Sequence, residues 1–99
     1  HYAPATGARA VAPAELAAEA RPAGRAVLAL GPAPADYAGP LWIDAGRDAG
    51  RYAHDLYANL RRLDASGAAE ILVEAVPGGP EWDAVRDRLQ RACKPGTLP

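Results

Sequence analysis

Two short, wholly apolar runs constrain this chain more than any other feature: Ala26, Val27, Leu28, Ala29 and Leu30, and further along Ile71, Leu72 and Val73. Each is shorter than a buried helix, carries β-branched residues and is closed by breakers, Gly31 and Pro32 after the first and Pro77, Gly78, Gly79 and Pro80 after the second. A strand without polar alternation has no wet face. Such strands belong to sheets covered on both sides, which is the usual setting of parallel pairing.

The segments between these runs supply the cover. Over residues 48–65, Ala53, Leu56, Tyr57, Leu60 and Leu63 recur at three- and four-residue spacing, with Arg51, Asp55, Asn59 and Arg62 assigned to the opposite, wet face. Gly67 then supplies the left-handed residue that commonly ends a helix. A last helix is predicted from Glu81, with Trp82, Val85, Leu89 and Ala92 inside and Arg86, Asp87 and Arg91 outside, ended by Lys94, Pro95 and Gly96.

Towards the start, residues 8–12 around Val11 suit a short strand. Pro13 opens a helix through Glu15, Leu16 and Glu19, stopped by Arg21, Pro22 and Gly24. Residues 31–40, with three prolines, read as a loop leading to a strand at Leu41, Trp42 and Ile43 that closes at Asp44, Ala45 and Gly46. The order strand, helix, strand, strand, helix, strand, helix predicts an α/β fold. We expect a three-layer, Rossmann-like domain with a small, mostly parallel sheet and helices on both faces. With 99 residues the chain suits one modest core, placed in residues 8–99. Residues 1–7 show no periodicity and contain Pro4, so they read as an interdomain linker.

Ligand crevices in open parallel sheets lie at the carboxyl ends of strands. Here those ends place Gly31, Asp44 and Gly46 in a candidate crevice, although the chain has no GxGxxG and no phosphate loop. The formal net charge is -1 and the arginines are interleaved with Asp and Glu, so direct nucleic-acid binding is not expected. Tyr37, Tyr52, Tyr57, Trp42 and Trp82 form no aromatic and arginine array for stacking bases.

Catalytic and metal signatures are absent. Ser66, Thr6, Thr97 and Cys93 stand in no elbow or triad spacing, and Ser66 reads as a helix-end residue. Cys93, the single cysteine, permits no internal disulfide and fits a reducing compartment; Lys94 beside it is a means of lowering its pKa, against the plainer reading of a packed thiol. His1 and His54 make no zinc set, so no metal is expected. Asp44, Asp48, Asp55 and Asp64 read as caps and ion-pair partners. No apolar run has membrane-span length, and no signal peptide is visible, which places the protein in the cytoplasm. The absence of methionine suggests that the chain begins inside a longer polypeptide.

The residues also carry a family resemblance. His1, Tyr2, Ala3 and Pro4 resemble the HYAP segment that ends the linker in two-domain threonylcarbamoyl-AMP synthases, between a YrdC-type catalytic domain and the C-terminal domain. Tyr52, Ala53, Leu56, Tyr57, Leu60, Arg61, Leu63 and Asp64 are similar to that domain's YAxxLYxxLRxLD helix, and Ile71 to Glu74 to its ILVE strand. Ala84, Val85, Arg88, Leu89, Arg91 and Ala92 follow its closing AIxxRLxRA pattern. Together these motifs run from the first residue to the last helix in the right order. The chain departs from the pattern between Pro77 and Trp82, where the family is glycine-rich, and at Asp87, where Asn is common.

The resemblance implies a parent enzyme that uses threonine, bicarbonate and ATP, with magnesium, to make threonylcarbamoyl-AMP and pyrophosphate for tRNA threonylcarbamoyladenosine modification. It implies a catalytic YrdC-type domain of the same polypeptide as partner; composition and charge already speak against a membrane or direct nucleic-acid contact by this part. No catalytic residue carries over, and the isolated domain is expected to be inactive and to hold no cofactor. His1, Tyr2 and Pro4 match the linker segment that runs near the parent active site, so this part would anchor the linker over the catalytic pocket. The alternative is a free-standing Rossmann-like ligand- or protein-binding regulatory module, which would use the crevice near Gly31 and Gly46.

Overall fold

The computed structural model describes residues 3–93. Four strands, β1 (Ala8–Val11), β2 (Arg25–Ala29), β3 (Trp42–Asp44) and β4 (Glu70–Glu74), form one sheet in the order β1-β4-β2-β3. Every neighbouring pair is parallel. The expected sheet was mostly parallel; the observed one is wholly so. Its register pairs Ala26 with Ile71, Val27 with Leu72 and Leu28 with Val73, so the two apolar runs lie side by side at the centre.

Alternation along these strands divides the core in two. Ala26, Leu28, Leu30, Ile43, Ile71 and Val73 point to one face, covered by α2 (Ala49–Asp64) and α3 (Asp83–Ala92). Val27, Ala29, Leu72 and Val11 point to the other, covered by the short α1 (Leu16–Glu19), through Leu16 and Ala20, and by Tyr37 and Trp42. The three-layer α/β architecture is therefore present, with unequal outer layers: two long helices on one side, one helical turn and a proline-rich loop on the other.

α2 begins where Asp48 caps it, the carboxylate accepting the Arg51 N–H at 2.8 Å. Tyr52, Leu56, Leu60 and Leu63 are buried against the sheet, each contributing roughly 1.5–3 kcal/mol on full burial. Asn59 corrects the sequence reading: expected on the wet face, it is 9% exposed. Its position, three residues after Leu56 and four before Leu63, puts it on the apolar stripe whatever its polarity. Past the helix, Gly67 adopts φ +83°, the left-handed conformation expected of it. A 3-10 turn at Pro80–Trp82 leads into α3, and Trp82 meets Tyr52 edge to face, with ring centroids 5.3 Å apart.

The link from β2 to β3 has no helix, yet it crosses to a parallel neighbour. One aromatic pair organises it. The Tyr37 hydroxyl lies 2.5 Å from the Arg25 carbonyl oxygen and 2.9 Å from that of Leu41, its single proton shared between them. The Trp42 indole N–H donates to the Gly31 carbonyl at 2.9 Å, and the two rings meet edge to face. Gly39 lies so close under this arrangement that a Cβ there would collide with the Arg25 carbonyl oxygen and the Tyr37 hydroxyl.

Two outcomes test this packing. Gly39→Ala should destabilise the chain by about 2–3 kcal/mol in chemical denaturation, since both colliding groups are held in place; a change within about 0.5 kcal/mol would show that the loop is not held as described. Tyr52 is 1% exposed and its hydroxyl has no hydrogen-bond partner among the described residues. Tyr52→Phe should therefore leave stability unchanged or raise it by up to about 1 kcal/mol, because it removes a desolvated polar atom and keeps the ring contact with Trp82. A loss above about 1 kcal/mol would mean that the hydroxyl is bonded in solution.

Candidate functional site

All four strands point the same way, so their carboxyl ends gather on one rim. A carboxylate braces the centre of that rim. Glu74 ends β4, and its Oε1 accepts the Leu30 N–H at 2.8 Å, bridging the two central strands just beyond their ladder. Beside it, the chain leaves β2 through Gly31 and returns along Trp42, and β3 ends at Asp44, whose Oδ1 accepts the Gly46 N–H at 3.0 Å in a local turn. Gly46 takes φ +75°, which lets the backbone reverse into the α2 cap.

Among the described residues, concavities open along this rim. One of about 230 Å³ is lined by Gly31, Trp42, Arg47, Glu74 and the apolar side chains of Leu16 and Pro13. A neighbour of about 210 Å³ shares Pro13, Arg47 and Glu74. The third, about 420 Å³ and shallow, is lined by Asp44, Gly46, Arg47, Asp48 and Arg51. The structure thus places Gly31 in one concavity and Asp44 with Gly46 in another, with Arg47 on the edge of both. Glu74 and Arg47 were not singled out from the sequence as crevice residues. The acidic end of an otherwise apolar strand was the available signal for Glu74; nothing marked Arg47 out from the other arginines.

A fourth concavity, of about 250 Å³ and mostly apolar, lies between β4 and α3 and reaches Cys93. Burial raises the Cys93 thiol to about 11. That direction is opposite to the lowering considered for a thiol beside Lys94, which itself lies outside the described residues. His54 is exposed, with Nδ1 3.0 Å from Asp55 Oδ1. Among the described residues no group of three or more His, Cys, Asp or Glu side chains is placed to hold a metal. No helix among them is long and apolar enough to cross a membrane.

At the opposite end of the sheet lies the approach to β1. The Asp64 carboxylate, on the last residue of α2, accepts the Ala5 N–H at 3.0 Å and the Thr6 N–H at 2.9 Å, one on each oxygen. The Gly7 carbonyl then accepts the Ile71 N–H, which starts the pairing with β4. Pro4 lies half-buried just ahead of this clamp. His1 and Tyr2, the other linker residues named from the sequence, lie outside the described residues. The rest of this end is held by charge: Arg9 pairs with Glu19 and Glu70 at 2.8 Å each, and Arg25 with Glu70 at 3.3 Å. The Arg9 guanidinium holds the Glu19 carboxyl below its usual range. These groups are partly exposed, so each pair contributes little stability while it ties α1 and the strand starts together.

The family model for the threonylcarbamoyl-AMP synthase, C-terminal domain, matches residues 1–93. No curated protein and no solved structure matches the chain. The family match spans nearly the whole sequence, including the clamped approach, both apolar strands and the two long helices that cover them. The chain belongs to the family of threonylcarbamoyl-AMP synthase C-terminal domains.

Proposed function

We propose that this domain is the non-catalytic C-terminal anchor of an L-threonylcarbamoyladenylate synthase, and that it sets the course of the linker over the catalytic pocket of a YrdC-type domain in the same polypeptide. On this reading threonine, bicarbonate and ATP with magnesium bind the catalytic domain, in the cytoplasm, and the product serves tRNA threonylcarbamoyladenosine modification. This domain contributes no catalytic group and no cofactor.

The observation that carries the reading is the double hydrogen bond from Ala5 and Thr6 to Asp64. Two successive amides on one carboxylate fix both the position and the direction of the backbone. Pro4 narrows the exit further, because its ring locks φ and restricts the residue before it. A plain flexible tether needs neither feature. Tyr2 and His1 bring an aromatic and an imidazole able to exclude water from a labile carbamate or mixed anhydride.

The test uses the full-length enzyme and measures ATP consumed per threonylcarbamoyl-AMP formed. Asp64→Ala and Tyr2→Ala should each raise that ratio roughly twofold to tenfold. Tyr2→Ala should leave the domain's melting temperature unchanged, whereas Asp64→Ala should cost about 1 kcal/mol of stability. Unchanged coupling in both variants would reduce residues 1–6 to a simple connector and overturn the reading.

A further inference from the structure

The strand-end rim carries an unused pair of opposite charges. Glu74 and Arg47 line the same two concavities. Glu74 is half-buried and held by Leu30 through Oε1, while its Oε2 accepts no hydrogen bond among the described residues. Arg47 is exposed, and its guanidinium has no partner among the described residues. The two groups do not pair with one another. Pro13, Leu16, Pro32, Pro34 and Trp42 line one of these concavities with them as an apolar wall. That wall is preset, because the Trp42 indole is fixed by its bond to Gly31 and by the edge of Tyr37, so a ligand would pay little to order it.

We propose that this concavity binds a small zwitterion of the free α-amino acid class, with its ammonium on Glu74, its carboxylate on Arg47 and its side chain against Trp42 and the prolines. Several observations select this chemistry. A nucleotide phosphate, the usual occupant of such a crevice, would meet the Glu74 carboxylate where a glycine-rich turn normally offers amide donors. The volume of about 230 Å³ lies below the roughly 300–1,000 Å³ of sites for larger ligands. A guanidinium binds a carboxylate through two parallel hydrogen bonds, and an ammonium gains from both a carboxylate and an adjacent indole face. A simple amine leaves Arg47 unused, and a simple acid leaves Glu74 unused. The inference does not rest on the linker reading, since Asp64 and residues 5–6 lie at the other end of the sheet.

The test is a nuclear magnetic resonance titration of the 99-residue chain, following the Leu30 backbone amide and the Trp42 indole N–H. The probes are L-leucine, L-threonine, and leucine's two truncated analogues, isoamylamine and 4-methylpentanoate. At least one amino acid should shift both signals saturably in the millimolar range. Both analogues should bind at least about tenfold more weakly than leucine, as should leucine to Arg47→Ala and to Glu74→Gln. Arg47 is exposed, and Gln at 74 keeps an acceptor for the Leu30 amide, so both variants should retain the parent spectrum away from the rim. The proposal is overturned if neither amino acid gives a saturable shift, if either analogue binds as well as leucine, or if either variant binds leucine with unchanged affinity.

Discussion

Between β2 and β4, the ladder that pairs Ala26, Val27 and Leu28 with Ile71, Leu72 and Val73 contains no side chain that reaches water. Everything else in the domain answers to that fact. A strand pair buried on both faces needs cover above and below, and parallel strands can be joined only by long crossovers that run over one face or the other. α2 and α3 supply the cover on one side. On the other, α1 is a single turn, and the loop from β2 to β3 completes the layer by turning Tyr37 and Trp42 inward. The two hydrogen-bonded carbonyls under Tyr37 are thus as much a part of the core as any leucine, because they hold the loop that closes its thinner side.

Parallel pairing also separates the domain's two ends by chemical character. At one end the strand amino termini meet the last turn of α2, and the groups there are spent on one another: Asp64 on two amides, Arg9 and Arg25 on Glu19 and Glu70. At the other, the carboxyl ends present Glu74 and Arg47 with bonding capacity left over. The family assignment concerns the whole domain, both ends included. The second end is where a small molecule would find free polar groups beside a rigid apolar wall.

The order and type of the elements could be read from the chain because each rests on local information. The apolar runs, the helical spacing of Leu56, Leu60 and Leu63, and the breakers Gly24, Gly31 and Gly67 each act within a few residues. Strand order could not be read in this way, since placing β4 between β1 and β2 depends on which faces the crossovers cover. Asn59 sits on the apolar stripe because helical position, not polarity, decides which face a residue shares. Asp64 belongs to a sequence motif and reads as a cap or ion-pair partner, but its bonds to Ala5 and Thr6 span more than half of the chain and leave no local signal. Glu74 likewise acts across strands, on Leu30, and such pairings appear only once the register is known.

The Asp64 clamp joins residues 59 and 58 positions apart in sequence. During synthesis Ala5 and Thr6 emerge long before their acceptor exists, and the bonds cannot form until α2 has been made and docked. Contacts of such long sequence separation close late because the intervening chain must first be ordered. The Ala5 and Thr6 amides therefore find their acceptor only after most of this domain has been translated. Truncation anywhere before the end of α2 would leave both amides without that acceptor, whatever their own sequence.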